Sequence, residues 1–153
     1  MFALALPASL LGLASTMLAA PQPALERVET VVATTTEISR AKDGLFYVTA
    51  MVNGAPVRFL VDTGASVVVL TPEDARRAGL SLAPAAFTGL ASTANGKTTM
   101  ARVSLNEVIV AGTRIEAIDA AVVEQGLHVS LLGQSMLSRL NSVTIRADSM
   151  VLN

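Results

Sequence analysis

From Leu45 onward, apolar and polar positions alternate in short runs, and turn residues cut those runs at close intervals. Residues 45–52 and 56–61 read as the arms of a hairpin, with Asn53-Gly54 supplying the positive φ angles that a tight turn requires. Residues 67–70 form a short β-branched run. Thr71-Pro72-Glu73-Asp74 then opens a helix, with a hydroxyl at the cap, proline in the first turn and acids near the positive end; Gly79 closes it. A second hairpin, lightly apolar and Thr-rich, spans residues 87–105 around Ala94-Asn95-Gly96-Lys97. Residues 108–110 and 114–123 read as further strands separated by Ala111-Gly112, and 128–132 as another apolar strand ending at Gly133. A short helix over 134–140, strands at 143–145 and 150–152, and an Ala147-Asp148 turn complete the pattern. Many short strands with frequent turns predict an all-β, barrel-like domain with one or two short helices.

The domain is expected to start at the turn signal Lys42-Asp43-Gly44, giving boundaries of 42–153. Residues 21–41 read as a linker, with Pro21 and Pro23 as breakers and a Thr-rich stretch of weak strand character. From Phe2 to Ala20 no side chain is charged, so residues 1–20 read as a membrane anchor, with a cleaved signal segment as the alternative. A basic n-region is absent and Pro21 suits cleavage at Ala20 poorly, which favours the anchor. The expected location is therefore the cytoplasmic (inner) membrane as a single-pass protein, or the periplasm after signal cleavage.

Composition narrows the chemistry. Aromatic residues make up 3% of the chain, Trp is absent and the net charge is -1, so neither stacking platforms nor a basic footprint for nucleic acid exists. With no cysteine and one histidine, His128, the chain has no thiolate nucleophile, disulfide or multi-histidine metal site of its own. No metal or organic cofactor is expected.

Asp62-Thr63-Gly64, preceded by Phe59-Leu60-Val61 and followed by Ala65-Ser66, is the most informative stretch. It puts a carboxylate at the end of an apolar strand, directly before a glycine turn. An ionised carboxylate there is costly to bury, and is tolerated where it meets a hydrated cleft and nearby donors. Two such carboxylates at close range share one proton, and the pair can activate water toward an amide carbonyl. The triplet occurs once, so a second carboxylate would have to come from another copy across a two-fold axis.

These residues resemble the retroviral-type (retropepsin-like) aspartic proteases, closest to the membrane-anchored single-domain bacterial members. Residues 59–66 match the active-site pattern, and Leu131-Leu132-Gly133 matches the second signature, on a strand threading beneath the catalytic loop. The hairpin at Thr93-Ala94-Asn95-Gly96-Lys97 stands where the family carries its flap. The resemblance implies a single-lobe acid-protease barrel active as a homodimer on peptide or protein substrates. It implies Asp62, Thr63 and Gly64 as catalytic residues: the carboxylate, a hydroxyl bonding across the axis, and a glycine admitting the substrate backbone. Ala65, Thr93, Ala94, Asn95 and Gly96 would bind substrate, the last three as the flap tip. The terminal strand from Met150 would contribute to the dimer sheet.

Other residues read as structural: His128 on an apolar strand, Glu73 and Asp74 as helix-terminus charges, Asp119 and Asp148 at a strand end and a turn. The competing function is a non-catalytic dimerisation or peptide-binding module of the cell envelope on the same fold.

Overall fold

The computed structural model describes residues 35–93 and 96–153. Ten strands and two short helices lie among them. Residues 1–20 and most of the expected linker lie outside the described residues, as do the flap-tip residues Ala94 and Asn95. Among the described residues no helix is long and apolar enough to cross a membrane.

Six strands close a barrel in the order β2 (Tyr47–Val52), β3 (Ala55–Val61), β8 (Ser130–Leu132), β4 (Val68–Leu70), β7 (Thr113–Val123) and β6 (Gly96–Val110); β6 returns to pair with β2. β5 (Gly89–Thr93) is appended to β6. The β2–β3 hairpin turns at Asn53 and Gly54, both at positive φ, as the sequence requires. Two pairings, β3 with β8 and β4 with β7, are parallel. The core is filled by side chains such as Val57, Phe59, Leu70, Leu105, Ile118 and Leu132, all essentially inaccessible to water.

Helix α1 (Pro72–Arg77) is capped as its sequence predicts, Thr71 Oγ1 accepting the Asp74 N–H. Asp74 is more than a terminus charge: it is buried, and Thr71 Oγ1 and Ser130 Oγ both donate to its Oδ2. Helix α2 (Gln134–Leu137) is shorter than the expected 134–140.

Two readings need correction. The second hairpin does not stop at residue 105, because β6 runs unbroken to Val110. Its inward face changes phase instead: Ala101, Val103 and Leu105 point to the core, then Val108 and Val110 do. β7 reverses at the paired position, where Ala117 takes a φ of 52°, so the two strands bend together. The linker reading ends too late, since Thr36–Ser39 forms β1, antiparallel to β10 (Ser149–Leu152). That Thr-rich stretch acquires its structure from a distant partner. Arg40 reinforces the join by donating to the carbonyls of Ala147, Gly44 and Arg146. β10 is the central strand of a three-stranded sheet ordered β1-β10-β9, with β9 at Val143–Ile145.

Candidate active site

The loop from Asp62 to Val67 connects β3 to β4, which lie on either side of β8 and run in opposite directions. It must therefore arch over the end of β8, where Gly133 sits. A Cβ on Gly133 would lie 2.1 Å from the Val67 carbonyl oxygen and 2.7 Å from that of Ala65, so this crossing admits only glycine. Backbone hydrogen bonds fasten the arch: Asp62 N–H to Leu132 O (3.1 Å), Gln134 N–H to Ala65 O (2.8 Å) and Ser135 N–H to Ser66 O (3.0 Å). Side chains add two more, Gln134 Nε2 donating to Thr63 O at 3.0 Å and Ser135 Oγ accepting the Val68 N–H at 2.9 Å.

Asp62 is half-buried at the base of this arch. Its Oδ1 accepts the Gly64 N–H at 2.9 Å, so the turn itself supplies the donor that the carboxylate needs. The carboxylate opens into a cleft of about 630 Å³. That volume suits a few side chains of an extended peptide. Leu60, Val67, Val69 and Leu131 give the cleft an apolar wall, and among the described residues Asp62 is its single carboxylate.

Residues 48–139 match the model of the family described as gag-polyprotein putative aspartyl protease. The chain belongs to this retropepsin-like aspartic protease family. A solved structure from Rickettsia conorii, described as a retropepsin-like aspartic protease, shares 39% identity with a TM-score of 0.70, covering 77% of this chain and 98% of that one. An uncharacterized protein of Rickettsia prowazekii (strain Madrid E) is 41% identical over 116 residues, 76% of this chain and 50% of its own length. A Sinorhizobium sp. protein, named only by its position in the cobV 5′ region, is 40% identical over 116 residues, 75% of this chain and 50% of its own. The chain thus spans about half the length of the curated relatives it matches.

Within this retropepsin-like fold the expected site residues separate. Asp62, Gly64, Ala65 and Thr93 line one cleft. Thr63 is exposed and lies outside the cleft lining. Gly96 begins β6 at a φ of 110°, where Thr93 Oγ1 donates to its carbonyl at 2.9 Å, and it too lies outside the lining. Ala94 and Asn95 lie outside the described residues.

Sequence reasoning missed the far wall. Met100 and Arg102 project into the cleft from the outward face of β6, beside Ala121 and Val123 of β7. Alternation marked both faces of that hairpin, yet nothing in the sequence said which would overlook Asp62. His128 is also misplaced by the sequence reading. Pairing of β8 with β3 begins only at Ser130, so His128 lies before the strand, exposed in a bend, and lines the cleft.

Asp43 and Tyr47, both remote from the cleft, hydrogen-bond to each other through Asp43 Oδ2 at 2.8 Å. The Leu45 N–H and then the Tyr47 hydroxyl hold the Asp43 carboxyl below its ordinary range, and the same bond raises the Tyr47 hydroxyl.

Proposed function

We propose that this chain is an aspartic endopeptidase acting as a symmetric homodimer, with Asp62 of each subunit flanking one water. The observation that carries this reading is the Asp62 carboxylate, fixed by the Gly64 N–H at 2.9 Å in a peptide-sized cleft that holds no second acid among the described residues. A two-fold axis near Asp62 supplies the missing partner.

One proton is shared by the pair, because two adjacent carboxylates do not both ionise cheaply. The charged carboxylate takes a proton from the water as its oxygen attacks the scissile carbonyl. The protonated carboxyl gives its proton to the carbonyl oxygen. The tetrahedral intermediate then collapses: the carboxyl that took the water's proton passes it to the departing nitrogen, and the C–N bond breaks. One hydroxyl of the intermediate returns its proton to the other carboxylate, restoring the shared proton. The Gly64 N–H keeps each carboxylate oriented, and Thr63 bonds across the axis beneath the pair. The peptide lies extended between the cleft floor and the hairpin carrying Thr93 to Gly96, added as a strand. No cofactor enters these steps. In the cell, residues 1–20 tether the domain to the inner membrane on its periplasmic side, or are removed to release it there.

The test is cleavage of an unfolded protein by the full chain in mild detergent, at ~50 μM to favour association and between about pH 4 and 7. Asp62→Asn should abolish cleavage while preserving the fold. Activity per subunit should also fall steeply on dilution. Cleavage by the variant would refute the reading; peptide binding by a folded dimer without turnover would make the protein a binding module.

A further inference from the structure

Two basic side chains in the cleft have no part in the mechanism above. Arg102 and His128 line the same space as Asp62, one from β6 and one from the bend before β8. Other arginines show how guanidinium groups are ordinarily occupied in this fold. Arg77, Arg114 and Arg146 face carboxylates, Arg40 binds carbonyls, and Arg58 lies over the Tyr47 ring at 4.0 Å. Arg102 makes no ion pair, side-chain hydrogen bond or ring contact among the described residues, and neither does His128. Arg76 and Arg139 are also unpaired, but they lie outside this cleft.

The available acids do not neutralise Arg102. Asp119 stands one diagonal step away on β7 by register, yet forms no ion pair with it and does not line the cleft. Glu124 is engaged by the Thr99 hydroxyl, on the opposite face of β6. In a dimer, two guanidinium groups would face a carboxylate pair bearing a single negative charge. An unpaired, always-charged fork beside an apolar wall is complementary to a carboxylate on the incoming peptide.

We propose that Arg102, assisted by His128, forms a subsite for an acidic side chain, so that the cleft selects peptides carrying Asp or Glu close to the bond cut. This rests on the endopeptidase reading for its biological meaning, but its binding test does not require turnover.

The probe is a set of fluorescent short peptides with a constant apolar centre, in which one Glu or one Gln is placed at successive positions. Binding is measured to the full chain carrying Asp62→Asn, so that no peptide is consumed. At one position Glu should bind about tenfold or more tightly than Gln at low salt. Added Arg102→Gln should cut that preference to under about threefold while leaving affinity for the Gln peptide within about threefold. Arg102→Lys should retain part of the preference, and His128→Gln should lower it by a smaller factor. Raising the salt should shrink the preference in the parent. Equal binding of Glu and Gln peptides at every position, or a preference that survives Arg102→Gln, would overturn the proposal. Cleavage by the chain with Asp62 intact is run alongside. Glu preference without turnover keeps the subsite and removes the peptidase, whereas turnover without preference does the reverse.

Discussion

Replacing Gly133 with alanine tests the arch that holds Asp62. The new Cβ would lie 2.1 Å from Val67 O, 2.7 Å from Val67 C and 2.7 Å from Ala65 O. These are backbone atoms of the Asp62 loop, so no side chain can rotate aside, and the loop must lift by roughly 1 Å to restore contact distance. Overpacking of this kind costs about 1–3 kcal/mol. Lifting the loop also stretches the Gln134 N–H bond to Ala65 O and the Ser135 N–H bond to Ser66 O, each worth about 1 kcal/mol. The combined loss is about 3–5 kcal/mol, and for a domain of this size it should lower the melting temperature by roughly 10–20 °C. A displacement of this order at a reacting group costs about 100-fold in rate. Thermal melts and peptide cleavage, both measured well below the variant's midpoint, would read the two effects. Gly89→Ala is the milder comparison: its Cβ would meet the flexible Met100 side chain at 3.1 Å and the Met100 carbonyl oxygen at 3.2 Å, so about 1 kcal/mol is expected. If Gly133→Ala melted within a few degrees of the parent and cleaved normally, the crossing would not be what positions Asp62.

Two further outcomes follow from groups outside the cleft. Ser130 is inaccessible; its Oγ accepts the Thr71 N–H at 3.1 Å and donates to Asp74, so Ser130→Ala should cost about 1–3 kcal/mol in urea unfolding. A loss under about 0.5 kcal/mol would show that the buried cluster adds nothing net. The Asp43–Tyr47 pair should stabilise its turn only between two limits. Asp43 is held below its reference value of 3.8, so its contribution is complete above that pH and is lost as pH falls through the lowered value. Tyr47 is raised above 10.0, so its contribution is complete below that pH and disappears as pH rises through the raised value. NMR titration of the Leu45 amide and Tyr47 ring should show both limits, and Asp43→Asn should erase the acidic one.

The parts of this fold legible in the sequence were those fixed by local chemistry. Asn53-Gly54 dictates a hairpin because few other pairs accept its backbone angles, and Thr71-Pro72-Glu73-Asp74 starts a helix through groups within one turn of each other. Asp62-Thr63-Gly64 and Leu131-Leu132-Gly133 were legible for the same reason: each is a short pattern whose geometry is carried by its own residues. The phase change at Asn106 looked like a break between strands, since alternation records which face is buried and not whether the strand continues. β1 gains its order from a strand more than a hundred residues away, a partner that no local window contains. The cleft's far wall depended on where the β6–β7 hairpin falls in the barrel, so the sequence offered Arg102 and His128 without saying what they would face.

The placement of β10 between β1 and β9 separates two properties that a shared terminal sheet would bind together. When subunits exchange terminal strands, each chain is incomplete alone, and dissociation exposes unpaired backbone. Here β10 is hydrogen-bonded on both sides by its own chain, so a lone subunit keeps its sheet intact. For the proposed homodimer, assembly would be a reversible switch laid over an already folded protein. A scarce population of the proposed enzyme would be dormant yet undamaged, and crowding onto a surface would be enough to wake it.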